Sequence, residues 1–139
     1  MRIFSKLLIT AALLLLMSSC IKEPYYDGYW RYINDTSLDC ALRIYTDRNS
    51  ETDFVNLHIP SRDQRVVQNE AYDGGSCVLY KWRFASIAFS DGTIIEYTQR
   101  DGQAGNPLME NNYDIQLIDG KCHLTLTITN AIHDIAVKQ

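Results

Sequence analysis

The stretch Tyr113-Asp114-Ile115-Gln116-Leu117-Ile118-Asp119-Gly120-Lys121-Cys122-His123-Leu124-Thr125-Leu126-Thr127-Ile128-Thr129 decides the fold class of this chain. Cys122, Leu124, Leu126 and Ile128 alternate with His123, Thr125, Thr127 and Thr129. That period of two belongs to a strand with one buried face. Asp119-Gly120 supplies the two positive-φ positions of a type I′ turn, and Tyr113–Ile118 is the strand that pairs back across it.

Outward from this hairpin the same period recurs. Leu38, Cys40, Leu42 and Ile44 alternate with Asp39, Ala41, Arg43 and Tyr45. Further candidate strands are Tyr29–Ile33, Phe54–Ile59, Gln64–Asn69, Cys77–Phe84, Ile87–Phe89 and Thr93–Thr98. Turn residues separate them: Asn34-Asp35, Pro60-Ser61, Asp73-Gly74-Gly75, Asp91-Gly92, Asp101-Gly102 and Gly105-Asn106-Pro107. Asp91-Gly92 is read as a second hairpin turn of the Asp119-Gly120 kind. Residues 131–137 read as a helical turn capped by Asn130, with Ile132, Ile135 and Ala136 on one side. Short strands with turn chemistry between them and no long helix predict an all-β antiparallel sandwich of about seven to nine strands.

Composition is consistent with one such domain. The chain has 139 residues, within the ordinary size of a single core, and 46% of them are hydrophobic. That apolar share excludes disorder, and four cysteines are too few for a disulfide scaffold. The formal charge of −4 argues against nucleic acid as a partner, because phosphate binding needs a positive field.

The first residues read as an address. Arg2 and Lys6 precede an apolar run from Leu7 to Met17, half the length a membrane span needs, and Ser18-Ser19 lead into Cys20. Met17-Ser18-Ser19-Cys20 resembles a bacterial lipobox, with Met17 where Leu is commonest. The resemblance implies cleavage before Cys20 and diacylglycerol on its sulfur. On this reading residues 1–19 are a signal peptide, 20–28 a lipidated tether and 29–139 the sandwich domain. Removing 19 residues leaves 120, and losing Arg2 and Lys6 leaves 11 basic against 17 acidic residues, a charge of −6. Several acyl chains on one cysteine give lasting attachment, so the membrane is an expected partner. Ile21 is not the Asp that retains lipoproteins in enteric inner membranes, and Lys22-Glu23 resembles the charged export signals of Bacteroidetes lipoproteins. Outer membrane is the expected location, in either leaflet.

Further residues carry a wider resemblance. Ile87-Ala88-Phe89-Ser90-Asp91-Gly92-Thr93, Glu96-Tyr97, Asn106-Pro107-Leu108, Asn112-Tyr113 and Leu126-Thr127-Ile128-Thr129-Asn130-Ala131 are similar to the small secreted lipoproteins of gut Bacteroidales. Asn34-Asp35-Thr36 fits as well, whereas Leu124 and Leu126 stand where Tyr is common and residues 60–76 match nothing. The resemblance implies an immunoglobulin-like sandwich, and it carries no established activity and no catalytic residue.

Candidate chemistry is sparse. With Cys20 lipidated, Cys40, Cys77 and Cys122 remain, and the inward phase of Cys40 and Cys122 makes them candidates for a disulfide across the core. The alternative is that both are small buried hydrophobes. No metal site is expected, since the cysteines lack the paired spacing of zinc ligands and residues 47–53 lack the glycine of a calcium loop. His58, His123 and His133 come with no nucleophile motif, so no catalytic residue and no cofactor is assigned. The aromatics suggest a binding surface. Tyr29, Trp30, Tyr72 and Trp82 are candidates to stack on a glycan or anchor an envelope protein, against the alternative that the tryptophans are core. The expected function is therefore a non-enzymatic, lipid-anchored binding or accessory module. A structural subunit of a larger surface assembly is the alternative, and a small hydrolase a third.

Overall fold

The computed structural model describes residues 25–46, 53–72 and 82–138. Their order is β1 (Tyr25–Asn34), β2 (Cys40–Tyr45), β3 (Asp53–Ile59), β4 (Gln64–Tyr72), β5 (Phe84–Phe89), β6 (Thr93–Thr98), β7 (Asp114–Ile118), β8 (Lys121–Ile128), α1 (Asn130–Asp134) and β9 (Val137–Lys138). A four-stranded sheet runs β4-β1-β8-β7 and a five-stranded sheet runs β3-β2-β5-β6-β9. The fold is thus mostly β, two packed sheets with one short helix.

Alternation places the core as expected. Leu42, Ile44, Ile59 and Ile87 point inward from the five-stranded sheet, and Tyr32, Leu124, Leu126 and Ile128 from the four-stranded one; all are essentially inaccessible. At about 25 cal/mol per Å² of apolar area buried, such a two-faced layer is the main favourable contribution to folding. One pairing departs from an all-antiparallel expectation. β1 runs parallel to β8, from Gly28 beside Cys122 to Asn34 beside Ile128. Chain segments 25–28, read as tether, are already inside this sheet, paired with β4 from Tyr25 opposite Tyr72 onward.

The two hairpin turns differ. Asp119 and Gly120 both have positive φ, at 51° and 72°, as a type I′ turn requires. Gly92 alone is positive in the other, at 86°, and its N–H donates to the Phe89 carbonyl at 3.0 Å. Ser90-Asp91-Gly92 is therefore a three-residue loop, its Asp91 carboxylate accepting from the Thr93 N–H at 3.0 Å and hydroxyl at 2.7 Å. That capture of Thr93 keeps Asp91 out of the left-handed region the two-residue turn would impose. The C-terminal helical turn spans residues 130–134, with Ile132 buried, but Ile135 is exposed and Val137–Lys138 add a short strand to β6. The candidate strand Cys77–Phe84 lies mostly outside the described residues, as does the lipobox, and Phe84 begins β5.

Two buried asparagines organise the connections. Asn34 Nδ2 lies 2.8 Å from the Leu38 carbonyl, 3.0 Å from that of Ile59 and 3.1 Å from that of Pro60. Its Oδ1 accepts from the Thr36 N–H at 3.1 Å and hydroxyl at 2.7 Å. One side chain thereby ties the end of β1 to the start of β2 and to the β3–β4 turn, satisfying carbonyls that burial would otherwise leave costly. Asn106 does the same in the loop after β6, donating to Thr98 O at 2.8 Å and Asp101 O at 2.9 Å while accepting from Leu108 N at 2.9 Å. Beside it, Gly105 has φ of 75°, and a Cβ there would sit 2.2 Å from Ile132 Cδ1, so the loop and α1 are in contact only because residue 105 lacks a side chain.

The expected Cys40–Cys122 disulfide is not present. Cys40 is a free, buried thiol, while Cys122 is disulfide-bonded to a cysteine outside the described residues. Both cysteines do face inward, but they lie at opposite ends of the sandwich. Cys40 pairs with Ile59, at the end marked by Asn34 and Ile128, and Cys122 is six positions back along β8. At ~3.3 Å per residue that separation is about 20 Å, against the ~7 Å limit for bridged Cα atoms.

Candidate functional site

The outer face of the four-stranded sheet follows from the register. Tyr29 is flanked by Gln68 on β4 and His123 on β8, and His123 by Gln116 on β7. The next row reads Val66, Arg31, Thr125, Asp114. Each of these alternates with an inward residue, since Trp30 and Leu124 on the intervening positions are buried.

These rows enclose a groove of about 320 Å³ lined by Tyr29, Arg31, Asp114, Gln116, His123 and Thr125, with Val66, Ile118 and Leu124 as its apolar part. Within it the Tyr29 ring stacks on the His123 imidazole, centroids 5.0 Å apart and planes 18° apart. Lys121 brings its ammonium to 5.7 Å from the Tyr29 ring centroid, a cation–π arrangement. Gln116 Nε2 donates to Asp114 Oδ2 at 3.1 Å. The site is a groove with a stacked aromatic pair beside amide, hydroxyl, guanidinium and carboxylate groups.

The four aromatic candidates do not form one surface. Tyr29 is on the outer face, but Trp30, its neighbour, is 3% exposed and belongs to the core. Adjacent strand residues must take opposite faces, so no arrangement of β1 exposes both. Trp82 is half-buried and packs against the core, and Tyr72 ends β4 opposite Tyr25. In their place the register supplies Arg31, Lys121 and His123, none of which the sequence singles out as a binding residue. Their signal was present in the outward phase of β8, but the parallel β1–β8 pairing that sets His123 beside Tyr29 is a long-range fact. Cys20 lies outside the described residues.

The histidines are placed by stacking or by carboxylates. His133 Nε2 lies 2.9 Å from Asp91 Oδ2 and its Nδ1 3.9 Å from Asp134 Oδ1, with the ring edge-on to Phe89 at 4.9 Å. The Thr93 hydroxyl, then the Thr93 N–H, then His133 hold the Asp91 carboxyl far below the usual carboxylate range. His58 Nε2 is 3.8 Å from Asp39 Oδ2 at an exposed position. Among the described residues no group of three or more His, Cys, Asp or Glu side chains is disposed to hold a metal ion. Burial, with the Asp39 charge second, pushes the Cys40 thiol up to about 11, the reverse of what a nucleophile needs. Burial also drives the Tyr32 and Tyr113 phenols upward; their rings meet edge to face at 6.4 Å, and Tyr113 donates to the Pro107 carbonyl at 2.7 Å.

Fold and groove together define a β-sandwich with a polar, aromatic-bearing sheet face. No family model, no curated protein and no solved structure matches the chain.

Proposed function

We propose that the chain is a lipid-anchored, non-enzymatic binding module of a bacterial cell envelope, held at the outer membrane through Cys20 and meeting its ligand on the outer face of β4-β1-β8-β7. The Tyr29–His123 platform in its groove is the observation that carries this reading. A preformed concavity with a few convergent polar groups is what a small-ligand or glycan site needs. The disulfide at Cys122 supports export, since such bonds persist in oxidising compartments. Both nitrogens of His133 face carboxylates rather than a hydroxyl or thiol, which favours binding over hydrolysis. The resemblance to gut Bacteroidales lipoproteins and its immunoglobulin-like topology belong to the same proposal; parallel pairing of the first strand with the late β8 supports that topology, and the β2–β3 hairpin within one sheet departs from it.

A second reading, a subunit of a larger surface assembly, is favoured by β7. This edge strand is exposed along its whole length, with Leu117 71% accessible although it stands opposite buried Cys122. Edge strands without Lys, Pro or a bulge are templates for another chain.

Two measurements separate these readings. Intact-mass analysis of the N-terminal peptide from membranes reports acylation at Cys20, which Cys20→Ser abolishes together with membrane retention. Affinity capture on immobilised envelope polysaccharides, peptides and membrane proteins then distinguishes a glycan ligand from a protein partner. An unacylated Cys20, or retention by none of these, contradicts the proposal.

A further inference from the structure

Resting on the reading of this sheet face as the ligand site, we infer that its ligand is an acidic saccharide, with a sugar ring on the Tyr29–His123 platform and a carboxylate on Arg31. The class follows from the shape and polarity of the groove. A pyranose has an apolar C–H face and a rim of hydroxyls. The ring faces turned away from the stack offer the first a flat surface, and Gln116, Thr125 and Asp114 offer the second donors and acceptors one and two strands away. Neighbouring strands lie ~4.8 Å apart, so Arg31 and Asp114, separated by Thr125 on one row, are about 10 Å apart. The described residues show no ion pair between them, so both groups are open to a ligand that spans the row.

The acidic character follows from charge. Two of the residues that line the groove carry formal charges, Arg31 on β1 and Asp114 on β7. Arg31 is exposed and its row neighbours are Val66 and Thr125, neither of which can neutralise a guanidinium. Lys121 is engaged with the Tyr29 ring and Asp114 with the Gln116 amide, whereas among the described residues no carboxylate is paired with Arg31. An unpaired planar fork beside an aromatic platform recognises a planar carboxylate in bidentate fashion.

Titration calorimetry on the purified lipidated chain in detergent tests this, using hexagalacturonate and hexamannuronate, each beside its carboxyl-reduced counterpart. The expected result is that a uronate binds at least tenfold more tightly than its reduced form, and that the difference shrinks as salt is raised. Arg31→Ala should erase the discrimination, Arg31→Lys should restore part of it, and Tyr29→Ala should abolish binding of either form, all with melting temperatures far above the assay temperature. Equal binding of charged and reduced oligomers overturns the acidic ligand while leaving the groove as the site. Uronate binding that is indifferent to both Arg31 and Tyr29 overturns the inference and the choice of face together. Retention of none of the four oligomers overturns the inference.

Discussion

The Tyr29 ring lies flat on the His123 imidazole, 5.0 Å between centroids, while Trp30, the next residue in β1, is buried on the other side of the same sheet. On the proposed reading the two neighbours divide binding from stability. Trp30→Ala should cost about 3–5 kcal/mol, the range for emptying an aromatic site in a core. Tyr29→Ala removes one exposed stacking pair and should cost no more than about 1 kcal/mol. Urea denaturation of the two variants measures both; comparable losses would refute this division of β1.

Asn34 is predicted to be the most sensitive polar residue of the core. Asn34→Ala strands the Ile59 carbonyl and its neighbours and should cost about 3 kcal/mol, several unmet partners at ~1–3 kcal/mol each being partly rehydrated. Asn34→Asp should be destabilising too, because a carboxylate can accept from Thr36 but cannot donate to three carbonyls. A melting temperature for either variant within a degree of the parent would contradict this role.

Acid should weaken the β5–β6 turn and its tie to α1. The Asp91 carboxyl is held lower in the folded chain than in the unfolded one, first by the Thr93 hydroxyl. Its contribution is complete above the unfolded value, about pH 4, and is lost as pH falls through the lower folded value. Asp91→Asn keeps an oxygen for Thr93 but has no carboxyl to titrate, so its stability should fall less between pH 4 and pH 2 than that of the parent. Parallel stability curves for the two chains would count against the assignment.

The cysteines give a count. Cys122 is bridged and Cys40 is free, which leaves Cys20 and Cys77 as the cysteines able to partner Cys122. Under the proposed acylation the Cys20 sulfur is taken up in a thioether, and the chain should then carry a Cys77–Cys122 bond. Iodoacetamide should label nothing in the native protein at pH 7, since the Cys40 thiol is buried and raised to about 11, and one thiol after denaturation without reductant. Labelling of Cys77 under those conditions would mean that Cys20 is bridged rather than acylated.

Local periodicity carried most of the architecture. Cys40–Ile44 and Cys122–Ile128 alternate so regularly that their inward faces are readable residue by residue, and Asp119-Gly120 names its own turn. Asp91-Gly92 misleads because an Asp side chain can stabilise two different loops, and the choice depends on whether Thr93 is within its reach. Level along a strand was not legible. Cys40 and Cys122 share an inward phase, but only the pairing of β1 with β8 reveals that they sit at opposite ends. The site was half legible for the same reason. Tyr29 stands out in the sequence as one of a cluster of aromatics, whereas His123, 94 positions later, becomes its partner through a parallel pairing that no local pattern encodes.

The outer face of β4-β1-β8-β7 is the face on which we propose that this protein meets its ligand. Amide chemical-shift mapping of the lipidated chain in micelles, titrated with the saccharide retained in affinity capture, addresses it directly. The account predicts shifts concentrated at Tyr29, Arg31, Gln116, His123 and Thr125, and their loss in Tyr29→Ala. Shifts confined to the five-stranded sheet, or to the exposed edge of β7, would contradict it.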